Sequence, residues 1–332
     1  MKPNQLKAVV AGTRWGQVHA RGFDESPHAQ LCALWSRGDT PEARQVAKRF
    51  GVKLFTDYTQ MLEQVKPDLV GIAVPEAGHA PLTLEALDHG GHVYCEKVLS
   101  DSAESAQQMI DRADDKNLSL NVGYNYRYSP SFLYLTKAVR SGELGQMLFV
   151  HLRAFTWCVH HLTDYVCSLL GRPMKAVSRI DRDPRPGKPH KSGPELAFPT
   201  FLYAAYTKKA YMVVYEDGAV LLAGATDYSS IEEPGGTLLL EGIDGRAEVD
   251  DLTGTVKIWR GSREATIFTP SQICDHIGLK ENGVAAVKDF ARSVAEGQDA
   301  PIPGKDGLMM IRLEEAILRS AHTDQWEAVE QH

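Results

Sequence analysis

The 332-residue sequence predicts an α/β protein with two domains: a doubly wound parallel sheet over residues 1–123, then an α+β domain over residues 124–332 with a large open, mostly antiparallel sheet. Two observations carry this prediction. Before Gly123, short apolar runs alternate with amphipathic segments, which is the pattern of parallel strands joined by crossover helices. After it, strand-forming runs are separated by hairpin signals such as Asp217-Gly218 and Asp244-Gly245.

The composition is that of an ordinary globular chain, and it excludes several classes of partner. Hydrophobic residues make up 43% and charged residues 24%, so the chain can form a hydrophobic core without disulfide bonds or a structural metal ion. The net charge of −7 argues against nucleic acid, because phosphate binding requires a basic surface. The five cysteines form no C-x-x-C pair, which favours a reducing, cytoplasmic location. No apolar run approaches the roughly 18 residues of a membrane span, and no signal peptide precedes the first strand, so no membrane partner is expected.

The first predicted unit is a strand, a glycine turn and a helix. Residues 6–11, LKAVVA, are typical of a buried parallel strand, and they stop at a glycine. In dinucleotide-binding units of this layout, the pyrophosphate rests on the N-terminal end of the helix. The G-x-G-x-x-G fingerprint is imperfect, because Ala11 and Thr13 take two of its glycine positions, and a plain tight turn is the alternative. The candidate cofactor contacts in this turn are Gly12, Thr13, Arg14, Trp15 and Gly16.

The second predicted strand, residues 30–35, ends in Ser36 and Arg37. An acidic residue at this place would bind the ribose hydroxyls of NAD. Arginine instead offers phosphate a planar set of donors, and serine adds a hydroxyl. The pair therefore favours the 2′-phosphate of NADP(H), with NAD(H) as the alternative cofactor. An exposed loop arginine without a ligand is the simpler explanation of the same residues.

Four further strands and their helices complete the predicted first domain. The strands are expected at residues 53–58, 68–75, 92–95 and 118–122, and the helices at 41–50, 59–65, 80–89 and, capped by Ser100 or Asp101, up to about 116.

The strand at residues 92–95 ends in a charged pair, Glu96 and Lys97. Ligands of doubly wound sheets bind outside the carboxyl ends of the strands, so Lys97 is a candidate for handling a proton of the substrate. A solvated lysine at the end of a strand is the alternative. Because Val98 rather than proline follows, we expect the peptide bond after Lys97 to be trans.

The second domain is predicted to mix helices with an open sheet. A helix follows Pro130, a strand covers residues 146–155, a helix covers 157–170, and strands with turns fill 201–268. Residues 181–199, rich in Pro, Lys and Gly, are expected to be loop. Two helices, about 282–296 and 306–321, close the chain.

The helix at residues 157–170 has an apolar stripe, and His160, His161 and Asp164 lie off it. This polar side either lines a cleft or faces water. A metal site would need a third protein ligand beside His160 and Asp164, and none is evident, so no metal is expected.

The order of motifs along nearly the whole chain resembles the Gfo/Idh/MocA family, named for glucose–fructose oxidoreductase, inositol dehydrogenase and a rhizopine-catabolism protein. The motifs that carry the resemblance are Pro75 to His79, Glu96-Lys97, Tyr126-Arg127-Tyr128-Ser129-Pro130, His161 to Asp164, and Asp306-Gly307 to Ser320.

This resemblance implies a Rossmann domain and hydride transfer between a nicotinamide cofactor and a sugar or cyclitol carbinol. It implies that Lys97 is the catalytic residue that transfers the proton of the substrate, and that His161 is a second catalytic residue. It also implies a homodimer or homotetramer that forms through the open sheet of the second domain. The further cofactor contacts that it implies are Pro75, His79, Glu96 and Lys97. The substrate contacts that it implies are Tyr124, Asn125, Arg127, Trp157, His160 and Asp164.

One departure from the family keeps the function open. Trp157 stands where the family often has aspartate, which favours a less polyhydroxylated substrate. Three hypotheses therefore remain: a sugar or cyclitol oxidoreductase, a reductase of C=N bonds in secondary metabolism, and a nicotinamide-binding sensor or partner protein without catalysis.

Overall fold

The computed structural model describes residues 5–181, 208–226, 236–250, 253–261, 263–270 and 275–331, so the loop predicted over 181–199 lies outside the described residues beyond Asp181. The chain forms two compact units. The first comprises Met1–Asn125 and Lys280–Ile311, and the second comprises Tyr126–Leu279 and Arg312–His332. Residues 280–311, placed in the second domain by the sequence analysis, thus group with the first unit.

The first unit is a doubly wound α/β layer structure, as predicted. Its strands are β1 Leu6–Ala11, β2 Ala29–Trp35, β3 Lys53–Phe55, β4 Leu69–Ile72, β5 His92–Cys95 and β6 Leu120–Val122. They pair in parallel in the order β3-β2-β1-β4-β5-β6. The helices between them are α1 Gly16–Glu25, α2 Pro41–Phe50, α3 Tyr58–Val65, α4 His79–Asp88 and α5 Ala103–Asp115.

Local sequence explains where these elements begin and end. The helix α2 begins after Thr40, whose side chain accepts from the N–H of Ala43, and it ends at Gly51 with a left-handed backbone. The cap of α5 was predicted one or two residues too early. Ser102 caps it by accepting from the N–H of Ser105, a geometry that neither Ser100 nor Asp101 adopts.

The second unit contains a large open sheet with helices, also as predicted. Its strands are β7 Met147–Phe155, β8 Pro173–Asp181, β9 Lys208–Tyr215, β10 Val220–Thr226, β11 Thr237–Gly242, β12 Gly245–Asp250, β13 Val256–Arg260, β14 Thr266–Phe268 and β15 Glu327–Ala328. In the described residues they follow the order β14-β13-β12-β11-β7-β10-β9-β8-β15. Neighbours are antiparallel except β7 and β10, which run parallel.

Four more helices complete the described structure: α6 Pro130–Arg140, α7 Thr156–Leu170, α8 Asp275–Ala295 and α9 Gly304–Thr323. The helix α7 packs on β7 and β10. Thr163 of α7 shares a 2.5 Å hydrogen bond with the buried hydroxyl of Tyr211, which fixes the helix on the sheet. No helix in the described part of the chain has the length and apolar character needed to cross a membrane.

Candidate active site

The first unit gathers its predicted site residues along one edge of the sheet. Parallel strands end at the same edge, and backbone hydrogen bonds continue past the strand ends from Gly12 to the carbonyl of Trp35 and from Glu96 to that of Ile72, both at 2.9 Å. The residues at this edge are Gly12 to Gly16 after β1, Ser36 and Arg37 after β2, Pro75 and His79 after β4, Glu96 and Lys97 after β5, and Tyr124 and Asn125 after β6. Tyr124 and Asn125 are buried there.

The glycine turn after β1 fits a dinucleotide. Gly12 has φ +109°, and a Cβ atom on it would lie 2.1 Å from the carbonyl oxygen of Ala73, so only glycine lets the turn pass the end of β4. The helix α1 then begins at Gly16, with no side-chain cap from Trp15 and no acidic residue in its first turn. Its N–H groups and positive dipole end therefore suit a pyrophosphate.

The end of β2 carries the half-buried Ser36 and the exposed Arg37. The N–H of Ser36 donates to the carbonyl of Phe55 at 3.0 Å, which fixes the backbone at this point. The side chain of Arg37 is exposed, as is that of Arg14 in the glycine turn. Both cations therefore follow strand ends of the same sheet.

The Glu96 carboxylate is an organising group of this edge. Its Oε1 accepts from the indole N–H of Trp15 at 2.7 Å and from Nε2 of His19 at 2.8 Å. Burial raises the pKa of Glu96, but the hydrogen bonds from His19 and Trp15 and the charges of His19 and Lys97 outweigh it, so its pKa lies below the ordinary value. Sequence reasoning missed His19, although its place one helical turn after Trp15 puts both side chains on one side of α1.

Lys97 is half-buried, and its N–H donates to Oε2 of Glu96 at 3.3 Å. The prediction of a trans bond after it was wrong, because the Lys97–Val98 peptide is cis. Val98 is fully buried, and its carbonyl lies 2.7 Å from Nδ1 of His79.

His79 contacts the backbone of two strand ends. Besides the carbonyl of Val98, its Nε2 lies 3.0 Å from that of Val74. The ring is buried, and burial lowers its pKa. In this structure, His79 therefore supports the edge at which Lys97 lies.

The second unit begins within the 3-10 turn Asn125–Tyr128, and its residues Tyr126 and Arg127 contact α7. Arg127 forms a bidentate ion pair with Asp164, from Nη2 to Oδ1 at 2.6 Å and from Nε to Oδ2 at 2.9 Å. The ring of Tyr126 stacks on His161 with centroids 4.5 Å apart. Two predicted substrate contacts, Arg127 and Asp164, thus bind each other.

The predicted polar side of α7 is enclosed, so the hypothesis that it faces water was wrong. His160, His161 and Asp164 are 0%, 6% and 0% exposed. Nδ1 of His160 lies 2.6 Å from Oε1 of Glu314 on α9, an acidic partner 154 residues away that no local pattern indicates. The side chain of Trp157 lies outside the described residues. Among those residues, no cluster of three or more His, Cys, Asp or Glu side chains could hold a metal ion.

The parallel sheet, the uncapped helix after the glycine turn, and a lysine at a strand end form the arrangement of a dinucleotide-binding domain. Residues 6–124 match the sequence model of the Gfo/Idh/MocA family, described as an oxidoreductase family with an NAD-binding Rossmann fold. The resemblance predicted from the motifs is thereby confirmed, and residues 6–124 form an NAD-binding Rossmann domain of this oxidoreductase family.

Two curated relatives differ in how much of the chain they match. Inositol 2-dehydrogenase of Rubrobacter xylanophilus is 35% identical over 139 residues, which are 41% of this chain and 40% of the relative. Levoglucosan dehydrogenase of Pseudarthrobacter phenanthrenivorans is 24% identical over 381 residues and covers 97% of both chains. The first similarity is therefore partial, and the second is weak but spans nearly the full length.

Solved structures show that the whole fold is shared. A levoglucosan dehydrogenase in complex with NADH and levoglucosan superposes with a TM-score of 0.85 at 20% identity, over 98% of this chain and 100% of that one. The predicted combination of a Rossmann sheet with a large, mostly antiparallel sheet is confirmed.

Proposed function

We propose that this protein transfers a hydride between a nicotinamide cofactor and the carbinol, or corresponding ketone, of a sugar-like or cyclitol substrate. The observation that carries the proposal is Lys97, half-buried at the carboxyl end of β5 in the NAD-binding domain. The names of the two relatives, an inositol dehydrogenase and a levoglucosan dehydrogenase, support this substrate class.

When bound, the nicotinamide ring supplies the acceptor or donor of the hydride. The neutral amine of Lys97 takes the hydroxyl proton of the carbinol in the oxidative direction, and its ammonium form returns the proton to a ketone in the reverse direction. We assign His161 a second proton-handling role, supported by its stacking on Tyr126, which fixes the plane of the imidazole.

NADP(H) is the cofactor that we propose for this chain, with NAD(H) as the alternative. The support is the exposed Arg37 next to Ser36 at the end of β2, because a guanidinium and a hydroxyl complement a 2′-phosphate. Partnership with a second copy of the chain through the open sheet, and a cytoplasmic location, remain predictions of the same proposal.

A spectrophotometric assay of the purified protein tests the proposal. NADP⁺ and NAD⁺ are offered with a panel of polyols that includes levoglucosan and the inositols, and NADPH and NADH are offered with a panel of imines. We expect reduction of NADP⁺ with at least one polyol. Turnover only with imines would move the assignment to C=N reduction. Cofactor binding without turnover on either panel would favour a non-catalytic nicotinamide-binding protein.

A further inference from the structure

The Glu96 carboxylate divides its two oxygens between different parts of the first unit. Oε1 receives the donors of Trp15 and His19, while Oε2 faces the peptide N–H of Lys97. A carboxylate held on both sides in this way links the glycine turn and α1 to the strand end that carries the lysine.

The two donors are themselves held in place. The ring of His19 is buried and meets Tyr94 edge to face with centroids 4.8 Å apart. It also covers Gly71, where a Cβ atom would lie 3.0 Å from Nδ1 of the histidine. Tyr94 thus packs against the imidazole, and glycine at position 71 leaves the space that the ring fills.

Space around the carboxylate is equally restricted. A Cβ atom on Gly123, just after β6, would lie 3.0 Å from the Glu96 carboxyl group. Beside the indole of Trp15, a Cβ atom on Gly283 of α8 would lie 3.7 Å from the ring, so a larger residue there would press toward the indole. Glycine at position 123 thus leaves the space that the Glu96 carboxylate fills.

We propose that Trp15 and His19 are positioning residues for Lys97: they hold Glu96 as a charged carboxylate beside the lysine and so set the pH at which the Lys97 amine loses its proton. This inference rests on the proposed role of Lys97. The physical reason is that a negative charge close to an ammonium group stabilises the charged form. The lysine in turn is one of the charges that lower the pKa of Glu96.

Other titratable groups surround Glu96, but they do not provide the negative charge that we assign to it. Cys95 precedes it on β5, and burial raises the pKa of this thiol far above neutrality, so the sulfur stays protonated. His79 on α4 is buried and its pKa is lowered, with Glu76 and Glu96 among the charges near it. Among these neighbours, Glu96 is the one that receives the hydrogen bonds of Trp15 and His19.

Without the donors, burial is the dominant influence on Glu96, and it raises the pKa of a carboxylic acid. The carboxylate would then take up a proton nearer neutral pH and lose its charge. Removing either donor should therefore act on Lys97 in the same direction as removing the charge by Glu96→Gln.

Competitive acetylation of the folded protein measures the pH at which the Lys97 amine loses its proton. Mass spectrometry follows the labelling of Lys97 as a function of pH, and neither substrate nor cofactor is needed. We expect Glu96→Gln to lower the labelling midpoint by about one pH unit, a tenfold loss of proton affinity. Trp15→Phe and His19→Phe should lower it by less, and the double variant should approach Glu96→Gln. His19→Gln, which keeps a donor near Nε2, should lie closer to wild type than His19→Phe.

Trp35→Phe is the matched control, because within the described residues its indole nitrogen has no hydrogen-bond partner, and its midpoint should equal that of wild type. Circular dichroism checks that each variant is folded. If the double variant does not fold, the midpoints of the single variants decide the outcome. An unchanged midpoint in Glu96→Gln, or in both Trp15→Phe and His19→Phe, would overturn the proposal. Because labelling needs no turnover, failure of the substrate panels would count against the proposed function alone.

Discussion

Asp164 is fully buried, and both of its carboxylate oxygens accept from the guanidinium of Arg127, at 2.6 and 2.9 Å. Because the pair lies between the 3-10 turn and α7, it holds the segment that also carries Tyr126. Removing one partner of a buried ion pair leaves a charge in a low dielectric, which typically costs about 3–5 kcal/mol.

We therefore expect Arg127→Met to lower the free energy of unfolding by about 3–5 kcal/mol in a urea titration. Arg172→Met is a matched control, since Arg172 pairs with Glu216 at an exposed site and should cost less than about 1 kcal/mol. An equal change in the free energy of unfolding for the two substitutions would show that the ion pair of Arg127 with Asp164 does not stabilise the fold.

Lys97→Ala should remove turnover and retain NADPH binding. Losing a general acid–base group typically lowers the rate by about 10²–10⁴-fold, and the glycine turn that fits the pyrophosphate is untouched. Fluorescence titration with NADPH and the polyol assay measure the two effects. The exposed Lys305 provides the control, because Lys305→Ala should behave as wild type. Turnover retained in Lys97→Ala would exclude the catalytic role.

Arg37→Ala should weaken NADPH binding by about tenfold, or about 1.4 kcal/mol, and leave NADH binding unchanged. The difference arises because only NADPH carries the 2′-phosphate. Calorimetric titration of both cofactors checks it, with Arg44→Ala as control, since Arg44 pairs with Asp39. Equal affinities of the wild type for the two cofactors would contradict the assignment of NADP(H).

Gly12→Ala should destabilise the protein by about 3 kcal/mol or more, because the new Cβ atom would meet the Ala73 carbonyl and the backbone has positive φ. Gly51→Ala separates these two causes. Gly51 also has positive φ, but nothing lies within 4 Å of its Cβ position, so only about 1–2 kcal/mol should be lost. Thermal or urea unfolding measures the loss of stability in each variant. A similar loss in both would contradict the close approach of the Gly12 backbone to the Ala73 carbonyl.

His79 should make stability depend on pH. Burial lowers its pKa from the ordinary value of 6.5, so the unfolded chain takes up a proton there at higher pH than the folded chain. Stability should therefore fall as the pH decreases from about 6.5 toward the folded-state pKa. Urea unfolding at several pH values should give a smaller slope for His79→Asn than for wild type, whereas the exposed His89→Asn should keep the wild-type slope. An identical slope in His79→Asn would disprove the assignment.

The sequence predicted elements well wherever local patterns decide them. The bounds predicted for β1, α2 and β5 agree with the structure, because each has a continuous apolar run or a clear cap. By contrast, β8 was not assigned. Its enclosed positions include Ala176 and Ser178, and the Ser178 hydroxyl donates to the carbonyl of Ile317, so long-range contacts rather than an apolar alternation define this strand.

The candidate site was predictable in outline but not in its pairings. Residues after strand ends could be predicted, because parallel strands must end at one edge. The partners of Glu96 and His160 could not, since His19 lies 77 residues and Glu314 lies 154 residues away in the chain. The contact of His79 with the Val98 carbonyl, 19 residues away in the chain, is likewise not encoded by a local propensity.

The parallel pairing of β7 with β10 has a consequence for synthesis of the chain. The helix α7 follows β7 directly, but the two strands that flank β7 in the sheet are β10, at residues 220–226, and β11, at 237–242. At a ribosomal pace of about 5–20 residues per second, the nascent helix waits several seconds for the surface that buries it. We expect the histidines and the apolar stripe of α7 to be exposed during that interval. Mutations that delay β10 or β11 should therefore lower the yield of folded protein more than the stability of protein already folded.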